Sequence, residues 1–195
     1  MLSEAVQPVP QFQVDKLPLQ RVVQILKRHR DMMFNGGEHK PISIIITTLA
    51  ARAYAKETHT IEALLNIVSK MRSYIGDTNP ITGLPEKWVG NPVNQEENFA
   101  DKWKKYPIRQ ANFEKWLDAV ESDVKRIVAQ KDKGLQFISE SMEKPFGKDV
   151  ITKAFSSYGA KQLAKRESGA LKMAAGTGVL GSVGTTVKGH NFHGK

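Results

Sequence analysis

Four residues in the first quarter of the chain have types and spacing suited to binding phosphate. Lys27 and Arg30 are three residues apart, which places both on one face of a helix, and Arg28 lies between them. Ser43 follows a Gly-Gly turn and opens the next predicted helix, where unpaired backbone N–H groups and the positive end of the helix dipole attract anions. This arrangement predicts a local phosphate pocket, although a solvated basic face and a serine without a ligand would show the same pattern.

Most other catalytic chemistries lack the residues that they require. The chain contains no Cys, which excludes disulfides, thiolate nucleophiles and cysteine-based zinc sites. There is no Asp-x-Asp or Asp-x-Glu pair for two-metal phosphoryl transfer, no Gly-Lys-Ser/Thr loop and no Gly-x-Ser-x-Gly elbow. His190 and His193 have a ligand-like spacing but no preorganised third ligand. The sequence therefore predicts neither catalytic nor metal-binding residues.

The charge and the hydropathy of the chain limit its partners. The net charge of +9 favours a polyanionic partner such as nucleic acid or nucleotide phosphates. The excess is spread along the chain without a polybasic arm, which argues against a dedicated DNA-binding surface and allows a local pocket. No apolar run reaches the roughly 18 residues of a membrane span, and the first residues lack the features of a signal peptide. We therefore predict a cytoplasmic protein without a membrane partner.

Apolar residues recur at helical spacing through most of the chain and predict an all-α body. Asp15 and Pro18 are suited to begin the first helix, which ends at an Asn-Gly-Gly turn. The Ile-rich segment after Pro41 is apolar almost all round, and its length favours a buried central helix over a strand. Further helices are predicted at about 60–75, with Thr60 as its cap, and at 96–105, 108–132 and 148–167, with a long loop at 77–95.

Composition divides the chain into three parts. Residues 1–14 are interpreted as an extended lead-in, residues 15–167 as the helical body and residues 168–195 as a glycine-rich tail. The tail contains seven of the 15 glycines and no acidic residue, so we expect it to be disordered in isolation.

Three blocks of sequence resemble the C-terminal helical half of the bacterial cGAS/DncV-like nucleotidyltransferases. They are DKLPLQRVVQILKRHRD at 15–31, KPISIIITTLAA at 40–51 and NPVNQEENFADKW at 91–103. Enzymes of this family make cyclic oligonucleotides in anti-phage defence and are similar to oligoadenylate synthases. The resemblance covers about residues 10–105 and implies the all-α fold of that lobe, into which the helices up to residue 167 also fit.

The resemblance implies roles for the residues singled out above, with nucleoside triphosphates as the ligands. In this family a lysine on the first helix of the lobe contacts the triphosphate oxygens, and Lys27 matches it. A serine at the start of the next helix contacts the same phosphates, and Ser43 matches it. Arg28 and Arg30 are further candidates for phosphate contacts, with a solvated surface position as the alternative.

Asn98 and Asp101 lie in the third block and are implied to border the nucleotide pocket, with helix capping as the alternative. A complete synthase also has an N-terminal polymerase-β-like lobe that carries a Gly-Ser motif and the carboxylates for Mg²⁺. We find no such lobe in this sequence, so we expect Mg²⁺ to bind only in a complete enzyme. The chain is then the helical lobe of a split, truncated or excised synthase, inactive alone, with an exposed apolar face that favours dimerisation.

The tail resembles the flexible C-termini that E1/E2-like partners of some family members join to a target. Phe192 is a candidate anchor for such a partner and Gly194 a candidate contact, although the final Lys departs from a small terminal residue. Simple disorder is the alternative for the tail. For the whole chain, the alternative function is a non-catalytic helical module that binds a partner protein or RNA through its basic surface.

Overall fold

A computed structural model of the protein describes residues 16–177, 180–181 and 183–187. The chain divides into two compact units, Met1–Ala129 and Gln130–Lys195. Each unit is described by itself below. The described part of the first unit holds all of the helices that surround the residues with predicted phosphate chemistry.

The first unit is mainly helical. Its helices are α1 (Pro18–Phe34), α2 (Ser43–Ala53), α3 (Thr60–Lys70), the short α4 (Lys102–Lys105) and α5 (Pro107–Val128). A 3₁₀ turn (Met71–Tyr74) continues α3, and an antiparallel hairpin follows it, formed by β1 (Gly76–Thr78) and β2 (Pro85–Trp88). The all-α class predicted from the sequence is confirmed.

Local chemistry sets the ends of α1. Pro18 occupies its first turn, where a missing N–H costs nothing, and the Gln20 side chain accepts a hydrogen bond of 3.1 Å from the Leu17 N–H. Asn35 ends the helix in the left-handed conformation, with φ at 44° and its N–H bonded to the Asp31 carbonyl. The predicted cap Asp15 lies outside the described residues.

The core of this unit lies where α1, α2, α3 and α5 pack together. It is built from Val22, Leu26, Ile46, Leu49, Ile67, Phe113, Trp116 and Val120. Six of the eleven residues of α2 are buried, which confirms the prediction of a buried central helix despite its β-branched residues. The packing of α1 against α2 determines where the first turn of α2 lies.

Two predictions for the middle of the chain are wrong. The segment 77–95 contains the hairpin β1–β2 and is not an uninterrupted loop, because Asn79 accepts two backbone N–H bonds and closes the turn between the strands. The helix predicted at 96–105 shrinks to Lys102–Lys105. Asn91, Asn94 and Asn98 bond backbone groups of their own loop, and these bonds compete with a helix.

The remaining helices follow the predicted pattern with one omission. The helix predicted at 108–132 ends at Val128, and that at 148–167 is α7 (Lys148–Glu167). In the second unit the sequence did not predict α6 (Leu135–Phe146), which packs against α7 and is joined to it through Gly147 at a φ of 92°. The cap predicted at Thr60 is also wrong, since Thr60 is the first helical residue and His59 precedes it.

Part of the glycine-rich tail is paired. The strand β3 (Lys172–Met173) lies between β4 (Leu180–Gly181) and β5 (Thr185–Thr186), and both pairs are antiparallel. Pairing therefore occurs within the segment that composition marks as flexible, while residues 188–195 lie outside the described part. None of the described helices combines the length and the apolar character needed to cross a bilayer.

Candidate functional site

The turn between α1 and α2 brings Arg30 and Ser43 together. The Nη1 group of Arg30 donates hydrogen bonds to the Pro41 carbonyl at 3.0 Å and to the Ser43 hydroxyl oxygen at 2.8 Å. Arg30 is only 6% exposed. The alternative of a solvated surface charge is therefore wrong for Arg30, which lies beneath the start of α2.

A carboxylate and a second cation complete this network. Arg30 donates from Nε to Asp31 Oδ1 at 3.0 Å, and its Nη2 lies 2.8 Å from the same oxygen. The Lys40 ammonium group lies 3.6 Å from Asp31 Oδ1. The buried guanidinium is thus both paired and hydrogen-bonded, as a buried charge requires.

The start of α2 has free capacity for an anion. Ser43 is its first residue and is half-buried, and Ile42 before it has no side-chain oxygen to cap the helix. The first-turn N–H groups of an uncapped helix need a partner from outside the helix. Together with the helix dipole, they form a site that attracts phosphate or carboxylate.

Lys27 and Arg28 differ in their surroundings. Lys27 is half-buried on α1, one turn before Arg30, and within residues 16–177 no hydrogen bond or ion pair involves its ammonium group. Arg28 points to the exposed side of α1. The sequence placed Lys27 and Arg30 on one helical face, and the structure gives them different tasks, since Arg30 is paired internally and Lys27 has no such partner among the described residues.

A cleft of about 630 Å³ opens next to the start of α2. Its walls include Ile42, Trp88, Asn98, Phe99, Asp101 and Arg109. Ile42 belongs both to the cleft wall and to the start of α2, so the cleft and the predicted phosphate position adjoin. The two residues predicted to border a pocket, Asn98 and Asp101, both lie on this wall.

Asn98 and Asp101 also have structural tasks. The Asn98 side-chain oxygen accepts from the N–H groups of Val89 and Ala100, each at 2.9 Å, and its amide nitrogen donates to the Lys87 carbonyl at 2.9 Å. Asp101 Oδ1 accepts from the Lys102 N–H at 2.7 Å and so caps α4. The capping alternative thus describes Asp101, which is also part of the cleft wall.

Sequence reasoning missed Arg109, which lines both this cleft and a smaller cavity of about 20 Å³ next to Lys40. Its guanidinium carbon lies 5.0 Å from the centre of the Tyr106 ring, within the range of a cation–π contact. The ammonium group of Lys105 lies 5.3 Å from the same ring. A signal was present, because residues 102–109 hold four cations and no acid.

A hydrogen bond from the buried His29 side chain joins α1 to α5. His29 is 3% exposed, and its Nε2 lies 3.1 Å from Asp123 Oδ2 on α5. Burial lowers the pKa of His29 below its ordinary value, against the opposing pull of Asp123. Asp123 is 94 residues away from His29 in sequence, so this contact depends on the packing of α1 against α5.

No family model matches the chain. A curated protein of Roseivirga ehrenbergii named c-di-GMP synthase is 32% identical over 162 residues, which are 83% of this chain and 42% of that protein. The chain is a relative of the cGAS/DncV-like nucleotidyltransferases, or CD-NTases. This similarity confirms the resemblance seen in the three sequence blocks.

The fold agrees with that of a solved CD-NTase. The structure of the CD-NTase CdnG of Bradyrhizobium diazoefficiens in complex with GTP superposes with a TM-score of 0.56 at 20% identity. The match covers 74% of this chain and 41% of CdnG. The chain therefore spans less than half the length of both CD-NTase relatives.

Among the described residues, no three His, Asp or Glu side chains come together to hold a metal ion. Phe192 and Gly194, predicted to be recognised in the tail, lie outside the described residues, as do His190 and His193.

Proposed function

We propose that this chain is the helical, triphosphate-binding part of a CD-NTase that makes a cyclic oligonucleotide messenger in anti-phage defence. The observation that carries the proposal is the uncapped start of α2, with the Ser43 hydroxyl at its first position and Lys27 on the helix packed beside it. The names of the relatives, a c-di-GMP synthase and a CD-NTase with GTP, support guanine nucleotides as the first ligands to test.

In this proposal the phosphates and the base occupy adjoining places. The Lys27 ammonium group balances the charge of the triphosphate, while Ser43 and the first-turn N–H groups of α2 donate hydrogen bonds to its oxygens. Arg28, on the exposed side of α1, adds longer-range attraction. The base extends past Ile42 into the cleft, whose wall includes Asn98 and Asp101.

The chemical step itself needs groups from elsewhere. In nucleotidyl transfer a hydroxyl oxygen of one nucleotide attacks the α-phosphorus of another, and pyrophosphate leaves. Mg²⁺ bound by a polymerase-β-like lobe would stabilise the charge of that step. This chain binds and orients the triphosphate, and Ile42 and Ile44, which are 43% and 45% exposed beside the site, suit burial under such a lobe.

A thermal-shift experiment with GTP tests the proposal. We expect GTP to raise the midpoint of unfolding of the 195-residue chain, because a ligand that binds only the folded state stabilises it. Lys27→Gln should weaken GTP binding about tenfold, in line with the loss of one charge-assisted hydrogen bond. The matched control Arg21→Gln removes one cation from the exposed side of α1 and should bind GTP like the wild type.

Three results would contradict the proposed function. A chain that GTP does not stabilise, or a Lys27→Gln variant with wild-type affinity, would contradict triphosphate binding at this site. Production of a cyclic oligonucleotide by the purified chain from nucleoside triphosphates and Mg²⁺ would contradict the division of labour between two lobes.

A second candidate function is RNA or protein binding by a non-catalytic helical module. The observation in its favour is the cationic segment 102–109, in which Lys105 and Arg109 flank the exposed ring of Tyr106. Aromatic rings between cations are suited to single-stranded nucleic acid. Stabilisation of the chain by RNA and not by GTP would favour this function over the first.

The tail carries a separate part of the proposal. An E1/E2-like partner would recognise the C-terminal residues, with Phe192 as the anchor and Gly194 close to the end that is joined. Deletion of residues 187–195 should abolish conjugation in a reconstituted system with that partner. Unchanged conjugation after the deletion would remove this role from the tail.

A further inference from the structure

Four of the five N–H donors of Arg30 face partners within the protein. Nε and Nη2 face Asp31 Oδ1, and Nη1 is shared between the Pro41 carbonyl and the Ser43 hydroxyl. With 6% of the residue exposed, the guanidinium lies in the wall below the start of α2. A phosphate that reached Arg30 would have to displace these partners, so a direct phosphate contact is a poor account of this residue.

The direction of the bond to Ser43 is fixed by chemistry. A guanidinium has only donors, so the Ser43 oxygen must be the acceptor at 2.8 Å. A serine hydroxyl carries one proton of its own, and Arg30 leaves that proton to be donated elsewhere. A serine in a first turn often spends its hydroxyl on its own backbone. The contact with Arg30 occupies the Ser43 oxygen as an acceptor and leaves the hydroxyl proton for another partner.

The same guanidinium also holds the backbone that precedes α2. Its bond to the Pro41 carbonyl fixes the residue two positions before Ser43. Asp31, which lies between Arg30 and Lys40, holds the guanidinium from the opposite side. The orientation of the hydroxyl and the position of the first-turn N–H groups therefore depend on one side chain.

We propose that Arg30 is a positioning residue of the triphosphate site, which acts through Ser43 and does not contact the nucleotide. The inference rests on the proposed function, since it requires that Ser43 bind phosphate. Lysine in place of Arg30 keeps the charge but loses the planar fork, and a single nitrogen cannot hold Ser43, Pro41 and Asp31 in the same geometry.

A double-mutant cycle on GTP affinity tests the proposal in the 195-residue chain. Ser43→Ala and Arg30→Lys should each weaken GTP binding about tenfold, and the double variant should lose clearly less than the roughly hundredfold of two independent effects, because the orientation of the Ser43 hydroxyl is already lost in Ser43→Ala. Arg21→Lys, the same exchange on the exposed side of α1, should leave the affinity unchanged. Affinities are compared at a temperature where circular dichroism shows every variant to be folded.

A loss of about a hundredfold in the double variant would overturn the proposal, because it would show that Arg30 contributes independently of Ser43. Wild-type affinity in Arg30→Lys would overturn it as well. Either result leaves the proposed function intact as long as Lys27→Gln weakens GTP binding.

Hydrogen exchange measured without nucleotide separates the role of Arg30 at the start of α2 from the proposed binding of GTP. Arg30→Lys should speed exchange of the backbone amides at residues 43–46, whereas Arg21→Lys should not. Unchanged exchange at these amides would overturn the positioning role. Faster exchange in a chain that does not bind GTP would contradict the proposed function and retain the role of Arg30 in ordering the start of α2.

Discussion

The Asn98 amide joins two stretches of backbone beside the cleft, residues 87–89 and 98–100. It accepts from Val89 and Ala100 and donates to Lys87, so both ends of the side chain are in use. An amide is the group that provides acceptor and donor at once, which explains why this position needs Asn even without a nucleotide.

Replacement of Asn98 by Asp tests this account. Asn98→Asp keeps the two acceptor bonds, loses the donor and places a charge near the Lys87 carbonyl, so we expect it to lower the free energy of unfolding by about 1–3 kcal/mol. Urea denaturation measures the change. The control Asn94→Asp keeps the single bond that the exposed Asn94 side chain accepts from the Glu96 N–H. A loss at Asn94 as large as at Asn98 would contradict the account.

His29 and Asp123 make the stability of the helical core sensitive to acid. Burial lowers the pKa of His29. Burial favours the neutral acid at Asp123, but hydrogen bonds from Arg126 and His29 outweigh it and hold the pKa of that carboxyl below its usual value. In the neutral histidine, Nε2 carries the proton that Asp123 accepts, because an ionised carboxylate has no proton to donate.

The sign of the pH dependence follows from these shifts. Below the ordinary histidine pKa of about 6.5, the unfolded chain takes up a proton at residue 29 and the folded chain does not, so stability falls with falling pH. His29→Gln keeps a donor for Asp123 and should flatten the loss of stability between pH 7 and 5. Thermal unfolding at several pH values measures it, with His59→Gln at the exposed start of α3 as control. A parallel loss in His29→Gln and wild type would contradict this assignment.

Asp123 contributes in a lower window. Its stabilising charge is present above the ordinary aspartate pKa near 4 and is lost as the pH falls through the lower value of the folded state. Acid therefore weakens the pair in two steps, first through the histidine and then through the carboxylate.

At the scale of elements, the sequence was informative wherever a long apolar stripe faces one core. Val22, Leu26 and their equivalents on α2, α3 and α5 predict helices that the structure contains. Periodicity failed where polar side chains and turns decide the backbone. Asn79 closes a hairpin and Asn98 holds a loop together, and neither contact follows from spacing along the chain.

In the candidate site, too, the sequence predicts the features that neighbouring residues determine and misses those that contacts between distant residues determine. The position of Ser43 at the start of α2 follows from the sequence, because Pro41 and the apolar run after it mark a helix start. The burial of Arg30 under that start depends on how α1 packs on α2, which the pattern of charges does not contain. Arg109 reaches the cleft through the packing of α5, at a distance in sequence from the other site residues.

The turn between α1 and α2 has a conformational requirement that can be measured. Gly36 has a φ of 82°, and a Cβ built there would meet no atom within 4 Å. Gly36→Ala should therefore cost about 1 kcal/mol through backbone conformation alone, since no steric clash adds to it. Glu38→Ala in the same exposed turn should change stability by less than about 0.5 kcal/mol. Equal effects in urea denaturation would contradict this reading of the turn.

For the whole molecule, the candidate residues and the main core share one unit. Lys27, Ser43, Asn98 and Asp101 lie within Met1–Ala129, and so does every residue of the core cluster. The second unit has few buried apolar side chains among its described residues, chiefly Phe146, Ile151 and Leu171. The capacity to bind a triphosphate is therefore expected in the first unit alone.

A fragment that ends at Ala129 tests this expectation. We expect residues 1–129 to retain helical circular dichroism, cooperative unfolding and the GTP affinity of the full chain within about twofold. The Lys27→Gln exchange in the fragment is the control for specific binding. An unfolded fragment, or a folded one that has lost GTP affinity, would show that the site needs residues beyond 129.

The fluorescence of the chain's three tryptophans can report on the cleft. Trp103 and Trp116 are buried in the aromatic cluster with Phe113, whereas Trp88 is half-buried on the cleft wall. Acrylamide in solution should therefore quench the fluorescence of Trp88 and leave the emission of the other two nearly unchanged. A ligand in the cleft should shield Trp88 from the quencher, so that intrinsic fluorescence reports occupancy without any label.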